Sequence, residues 1–132
     1  MAKRLGILLF CVYVGGCAAS PTRPSPFSQN LTGTVAAFDT SRQTLAAPRA
    51  GALTVQLAWP DAAVDLDLYL APVTCTVLYP QSGCGILAAS TTAGSTTETV
   101  TRNVSSGENF TIFVDNLSVS RSTDYTISIT IQ

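Results

Sequence analysis

Histidine is absent from all 132 residues, and the single lysine is Lys3. Those gaps remove the usual general bases of hydrolytic enzymes. Serine and threonine are abundant, but no imidazole is there to activate a hydroxyl as a nucleophile. Charge is scarce too, at 11% of residues. Beyond Arg4, which adjoins Lys3, the arginines are scattered singly (Arg23, Arg42, Arg49, Arg102, Arg121). No basic stripe exists to neutralise phosphates, so nucleic acid is excluded as a partner.

The apolar run at residues 5–14 (LGILLFCVYV) is also short. A membrane span needs about 20 such residues. Preceded by Lys3 and Arg4 and followed by Gly15 and Gly16, the run reads as an export signal. The sequence Val14-Gly15-Gly16-Cys17 resembles the lipobox of bacterial lipoproteins. That resemblance implies a signal peptide of residues 1–16, cleaved before Cys17. It also implies a diacylglyceryl group on the Cys17 sulfur and an acyl chain such as palmitate on its new amino group. Plain secretion by cleavage near Ala19, with Cys17 lost, is the alternative. Ala18 stands where an aspartate would resemble an inner-membrane retention signal, which favours the outer membrane, facing periplasm or cell surface. Each buried CH₂ adds about 0.8 kcal/mol, so several acyl chains make a durable anchor where one does not.

Without residues 1–16, five arginines face eight carboxylates, a net charge of −3. A polybasic patch for anionic lipid is thereby excluded, and Cys17 is left as the membrane contact. Of the four cysteines, Cys11 falls in the signal, which leaves Cys75 and Cys84 as a pair. In an oxidising compartment such a pair is most simply a disulfide. Two cysteines without histidine cannot complete a usual zinc shell, and their spacing is not C-x-x-C. A ring this short contributes about 2–3 kcal/mol in the chain-entropy account.

Residues 17–30 read as a lipidated cysteine followed by a tether in which Pro21, Pro24 and Pro26 alternate with serine and threonine. The domain then spans residues 31–132. Its strongest strands, at 52–59, 64–70, 110–114 and 125–131, alternate apolar and polar residues. Leu53, Val55, Leu57 and Trp59 share one face, as do Val64, Leu66, Leu68 and Leu70. Weaker strands are expected at 31–37, 43–46, 86–90 and 97–104. A period of two with one apolar face is what a sheet packed on another sheet requires. The expected fold is all-β, an antiparallel, jelly-roll-like β-sandwich of seven or eight strands. The cysteine pair closes the long connection after residue 70, pinning a loop rather than joining the sheets.

In this order the segments resemble the bacterial pre-peptidase C-terminal domain. The matching stretches are LTGTV at 31–35, GALTVQLAW at 51–59, DLDLYL at 65–70, ETV at 98–100, GENFTIFV at 107–114 and DYTISI at 124–129. They span nearly all of residues 31–132. No peptidase domain accompanies them here, and the cysteine-bearing loop is longer than the pattern requires. The resemblance implies a binding or accessory module, similar to the collagen-binding modules of secreted peptidases. It implies no catalytic residues.

Few residues offer chemistry. Asp65 and Asp67, two apart on a strand, lie roughly 6–7 Å from each other. That spacing could serve two-carboxylate hydrolysis, or simply be the polar face of an amphipathic strand. With Asp61 they could offer hard oxygens to Ca²⁺ at the weak affinities of extracellular sites. No D-x-D-x-D-G loop is present, and a solvated face is the competing reading. No other cofactor is implied. Trp59 alternates with core residues, which favours burial over sugar stacking, and Tyr125 reads alike. Tyr69 and Phe113 fall on outer faces, where exposed aromatics can form a binding patch, unless a loop covers them. The function expected is a non-catalytic binding or accessory module of the cell envelope, engaging a protein or polysaccharide. A structural subunit of an envelope assembly is the alternative.

Overall fold

The structure, a computed structural model, describes residues 25–132. The expected signal peptide, Cys17 and the first residues of the expected tether lie outside the described residues. Eight strands follow: β1 (Phe27–Val35), β2 (Thr40–Ala46), β3 (Gly51–Ala58), β4 (Leu66–Pro72), β5 (Ala88–Ser90), β6 (Thr97–Val104), β7 (Asn109–Asn116) and β8 (Thr123–Ile131). A 3₁₀ turn, Gln81–Gly83, lies between β4 and β5. The first sheet has the order β1-β8-β3-β6 and the second β2-β7-β4-β5. All pairings are antiparallel. This is the two-sheet jelly roll, an all-β sandwich as the alternation of the sequence requires.

Burial explains the order. On β3, Leu53, Val55 and Leu57 are buried, and on β8 so are Tyr125, Ile127, Ile129 and Ile131. They meet Leu66, Leu68, Leu70, Phe110, Ile112 and Val114 of the second sheet in one core. Each side chain buried there contributes roughly 1.5–3 kcal/mol. Trp59 belongs to this core, its indole N–H donating to the Val64 carbonyl at 2.9 Å. The outer face of the first sheet is nearly uncharged. Hydroxyl and amide side chains such as Asn30, Thr32, Gln56 and Thr101 cover it.

Most strand boundaries shift by one to three residues from those the sequence suggested, and β1 differs most. Residues 27–30, which read as tether, form the start of β1. Their sequence FSQN shows no alternation, but β1 pairs with β8 from Phe27↔Ile131 to Val35↔Thr123. The pairing satisfies main-chain donors and acceptors, and Phe27 packs against the core. At its other end β1 stops at Val35, and residues 36–39 turn the chain toward β2.

Tyr125 links the sheets. Its hydroxyl lies 2.6 Å from the Ser41 hydroxyl and accepts from the Gln43 amide at 3.3 Å, both on β2. The ring passes over Gly33, where an added Cβ would fall 2.5 Å from the hydroxyl oxygen. Gly33→Ala must therefore displace Tyr125 and strain these bonds. The expected loss is about 1–3 kcal/mol, read as a lower urea midpoint with an unchanged m-value.

Seven of the eight strands have the next strand in the chain placed in the opposite sheet or, for β8, no successor. The exception is β4, which pairs with β5 in a hairpin. Residues 73–87 connect them, and the Cys75–Cys84 disulfide lies within that connection. The loop lies against the outer face of the second sheet.

Candidate functional site

That loop changes the reading of the outer aromatics. Tyr69 on β4 and Phe113 on β7 are cross-strand partners. They are 6% and 2% exposed, so they form no open binding patch. The alternation assigned them to the outer face correctly. What it could not show is that Cys75, Leu78, Cys84 and Ile86 fold down on them into a second, smaller core. The disulfide closes a lid over one face of the sandwich.

The proposed cation ligands also separate. Among the described residues no group of three His, Cys, Asp or Glu side chains could hold a metal ion. Asp61 pairs with Arg121 at 3.1 Å and accepts from the Ala63 amide. Those contacts hold its carboxyl below the usual range, the backbone bond most strongly. Asp67 is buried beneath the lid and accepts from the Tyr69 hydroxyl at 3.0 Å. Asp65 turns its buried Oδ1 to no partner.

Directly across from Asp67 stands Asp115 on β7, 4% exposed. Its carboxylate accepts from the Thr40 hydroxyl at 2.7 Å and from the Tyr79 hydroxyl. The second of these bonds moors the lid to the sheet. Burial raises the Asp67 carboxyl above its ordinary range; the Tyr69 bond opposes this, and the charges of Asp65, Asp115 and Glu98 add to it. Tyr69 is pushed up to about 12, chiefly by burial and then by its bond to Asp67. Tyr79 is raised by burial and then by Asp115.

A buried carboxyl whose folded value exceeds its unfolded one binds its proton more tightly in the fold. Its contribution is complete below the unfolded value of 3.8 and is lost as pH rises through the elevated folded value. Asp67→Asn keeps an acceptor for Tyr69 and removes the charge. The variant is expected to be more stable than the native chain at pH 7. The gap should vanish below about pH 4. Urea midpoints measured across that range check it; a less stable variant at pH 7 contradicts it.

Beside the moored lid, one end of the sandwich carries exposed apolar residues, while Val73 and Leu87 are exposed elsewhere. Phe38, at the tip of the β1–β2 turn, has φ 54° and is 76% exposed. A bulky side chain in the left-handed region is a strained conformation, costing on the order of 1–3 kcal/mol. The neighbouring chain holds it there. The Phe38 amide donates to the Ser118 carbonyl at 2.9 Å. The buried Asn116 side chain donates to the carbonyls of Ala36 at 3.0 Å and Arg121 at 2.8 Å. Its own oxygen accepts from the Ser118 amide at 2.9 Å. One buried amide thus clamps the β1–β2 turn to the β7–β8 loop. Exposed Leu117 and Tyr79 share a cavity wall with Phe38, exposed Val119 follows Ser118, and exposed Val77 of the lid lines the adjoining hollow with Asp39 and Tyr79. A cavity of about 230 Å³ opens between Phe38, Tyr79 and Leu117, with Asp39, Thr40, Asp115 and Asn116 in its walls. A larger depression, about 490 Å³, lies on the first sheet's outer face among Thr32, Thr34, Ala58 and Thr126. Its single carboxylate, Asp124, already accepts from Thr34 at 2.5 Å, and it is open and shallow.

No element of the sequence reading pointed to Phe38, Tyr79, Leu117 or Val119. The available signal was a lone phenylalanine in AAFDT, where a turn would ordinarily carry glycine or asparagine.

Fold and site together define a small jelly-roll sandwich with one face lidded and one apolar rim clamped open. No family model matches the chain, and no curated relative matches it. Solved structures do. Aeromonas hydrophila PliG, a periplasmic lysozyme inhibitor of g-type lysozyme, superposes with a TM-score of 0.59 at 15% identity, covering 80% of this chain and 86% of its own. The Yersinia pseudotuberculosis-derived mitogen superposes with a TM-score of 0.59 at 17% identity, covering 82% of this chain and 88% of its own. At such identities the likeness is one of fold.

Proposed function

We propose that this chain is a lipid-anchored, non-catalytic module of the bacterial cell envelope that binds a protein through the rim around Phe38. The observation that carries the reading is Phe38 itself: a large aromatic, solvent-exposed, fixed in a strained backbone conformation by a buried asparagine. Strain kept at an exposed tip has no value for packing, and rigid aromatic anchors are the residues that dominate protein interfaces.

Chain polarity supports the same reading. Strand β1 enters at Phe27, on the side of the tether, and leaves at Val35, next to the rim. Nine residues of strand span about 30 Å. A chain acylated at Cys17 therefore presents the rim at the end of the domain away from its anchor. The stretches that resemble the pre-peptidase C-terminal domain and the similarity in fold to PliG, an inhibitor of a lysozyme, favour a protein partner over a small ligand. No helix among the described residues is long and apolar enough to cross a membrane, and the lipid on Cys17 supplies the attachment to the outer membrane.

Two variants of the full chain test the proposal. Cys17→Ala should lose incorporated fatty acid and leave the membrane fraction. Phe38→Ser combined with Val119→Ser should fold with an unchanged urea midpoint and lose its partner at least tenfold, about 1.4 kcal/mol or more. A double variant that retains its partner refutes the rim.

A further inference from the structure

The cavity beside Phe38 carries carboxylates that form no ion pair among the described residues. Asp115 is almost wholly buried, and its cross-strand neighbour Asp67 is buried as well. Like charges directly opposite on a sheet destabilise it, and buried carboxylates are ordinarily paired with a cation. Among the described residues the two ion pairs are Arg102 with Glu108 and Arg121 with Asp61, neither of them here. Arg42 lines the adjoining hollow, yet its guanidinium donates to the Thr76 carbonyl at 3.4 Å. Asp39 adds another carboxylate to the cavity lining and accepts from the Thr40 amide at 2.8 Å. The remaining walls are Phe38, Tyr79 and Leu117, with the polar Thr40 and Asn116.

We infer that this cavity, lined by Phe38, Asp39, Tyr79, Asp115 and Leu117, receives an arginine side chain of the partner protein. The inference rests on the docking role of the rim and names the chemistry that the rim selects. Aromatic walls and carboxylates attract the same ligand for different reasons. A ring face attracts a cation through its quadrupole; each Asp115 oxygen already accepts one hydroxyl, from Thr40 or Tyr79, and keeps a second lone pair for a guanidinium N–H. Arginine is weakly hydrated and stacks on rings, which suits it to a half-apolar cavity better than lysine. A volume of about 230 Å³ leaves room for a side-chain head and no large ligand. The surrounding carboxylates also repel anionic lipid headgroups, which sets a protein cation apart from a bilayer as the occupant.

Amide resonances of the lipid-free domain, residues 25–132, in solution provide the test. The probes are N-acetyl-arginine methylamide and its uncharged isostere N-acetyl-citrulline methylamide. The arginine compound should shift the amides of Phe38, Asp39 and Leu117 saturably at millimolar concentration, at least tenfold more tightly than the citrulline compound. Asp115→Asn should abolish the preference. Because that change also loosens the lid bond from Tyr79, Asp39→Asn on the exposed turn serves as the second variant and should weaken the arginine compound several-fold. Equal responses to both compounds, shifts confined to other surfaces, or an Asp39→Asn variant that binds undiminished would overturn the inference. The Phe38→Ser and Val119→Ser double variant judges the docking rim separately, so a failure of the cation cavity is distinguishable from a failure of the rim.

Discussion

Truncating Phe113 to alanine is expected to destabilise the domain by about 3–5 kcal/mol. The residue lies on the outer face of a sheet, where a sandwich ordinarily meets water, and an exposed aromatic there would change stability by no more than about 0.5 kcal/mol. Instead it is 2% exposed. Tyr69 lies beside it across the strand pair, and Leu78, Cys75 and Cys84 press down from the lid. Removing the ring leaves a cavity that the disulfide-closed loop cannot collapse into freely, and the cost of such a cavity rises with the volume left empty. Urea unfolding of Phe113→Ala measures it directly. A midpoint near the native one would mean that the lid does not cover this face.

Removing the disulfide is the second large effect. The bridged cysteines are 9 residues apart, and constraining the unfolded chain over so short a loop stabilises by about 2–3 kcal/mol. Cys75→Ala with Cys84→Ala should lose that amount. The location of the loss is as informative as its size. The bond holds residues of one hairpin connection and does not cross between the sheets, so the lid should open first. The amides of Gly83 and Leu87, bonded to the carbonyls of Pro80 and Leu70, should exchange hydrogen much faster in the variant. Those at the centre of β3 and β8 should change only as global stability does. Uniform acceleration throughout the domain would show that the bridge supports the whole sandwich.

The strands were legible in the sequence wherever one face is buried. Leu53, Val55 and Leu57, or Ile127, Ile129 and Ile131, recur every second residue because one side of each strand meets the other sheet. The same logic placed Tyr69 and Phe113 on the outer face. It could not reveal the lid, because residues 73–87 make irregular contacts through Cys75, Leu78 and Ile86 without any period. Residues 27–30 escaped for the opposite reason: their place in β1 is held by main-chain pairing with β8, which polar side chains do not announce. The acidic residues misled as a metal set because proximity in sequence does not bring Asp61 and Asp67 together. The partner that matters for Asp67 is Asp115, distant in sequence and adjacent across the sheet. Phe38 was invisible because the positive φ is imposed from outside the turn, by Asn116 and Ser118.

These features give the domain a direction. The disulfide lid is moored through Tyr79 to Asp115, and the same two residues line the cavity beside Phe38. Lid and rim are therefore built as one surface, at the far end of β1 from the tether. Site-specific photo-crosslinking in intact cells tests that surface most directly, with a benzoylphenylalanine side chain at position 38, at position 119, and at position 101 on the opposite face. The account predicts one discrete protein adduct from positions 38 and 119 and none from position 101. An adduct from position 101 with silence at 38 and 119 would contradict it.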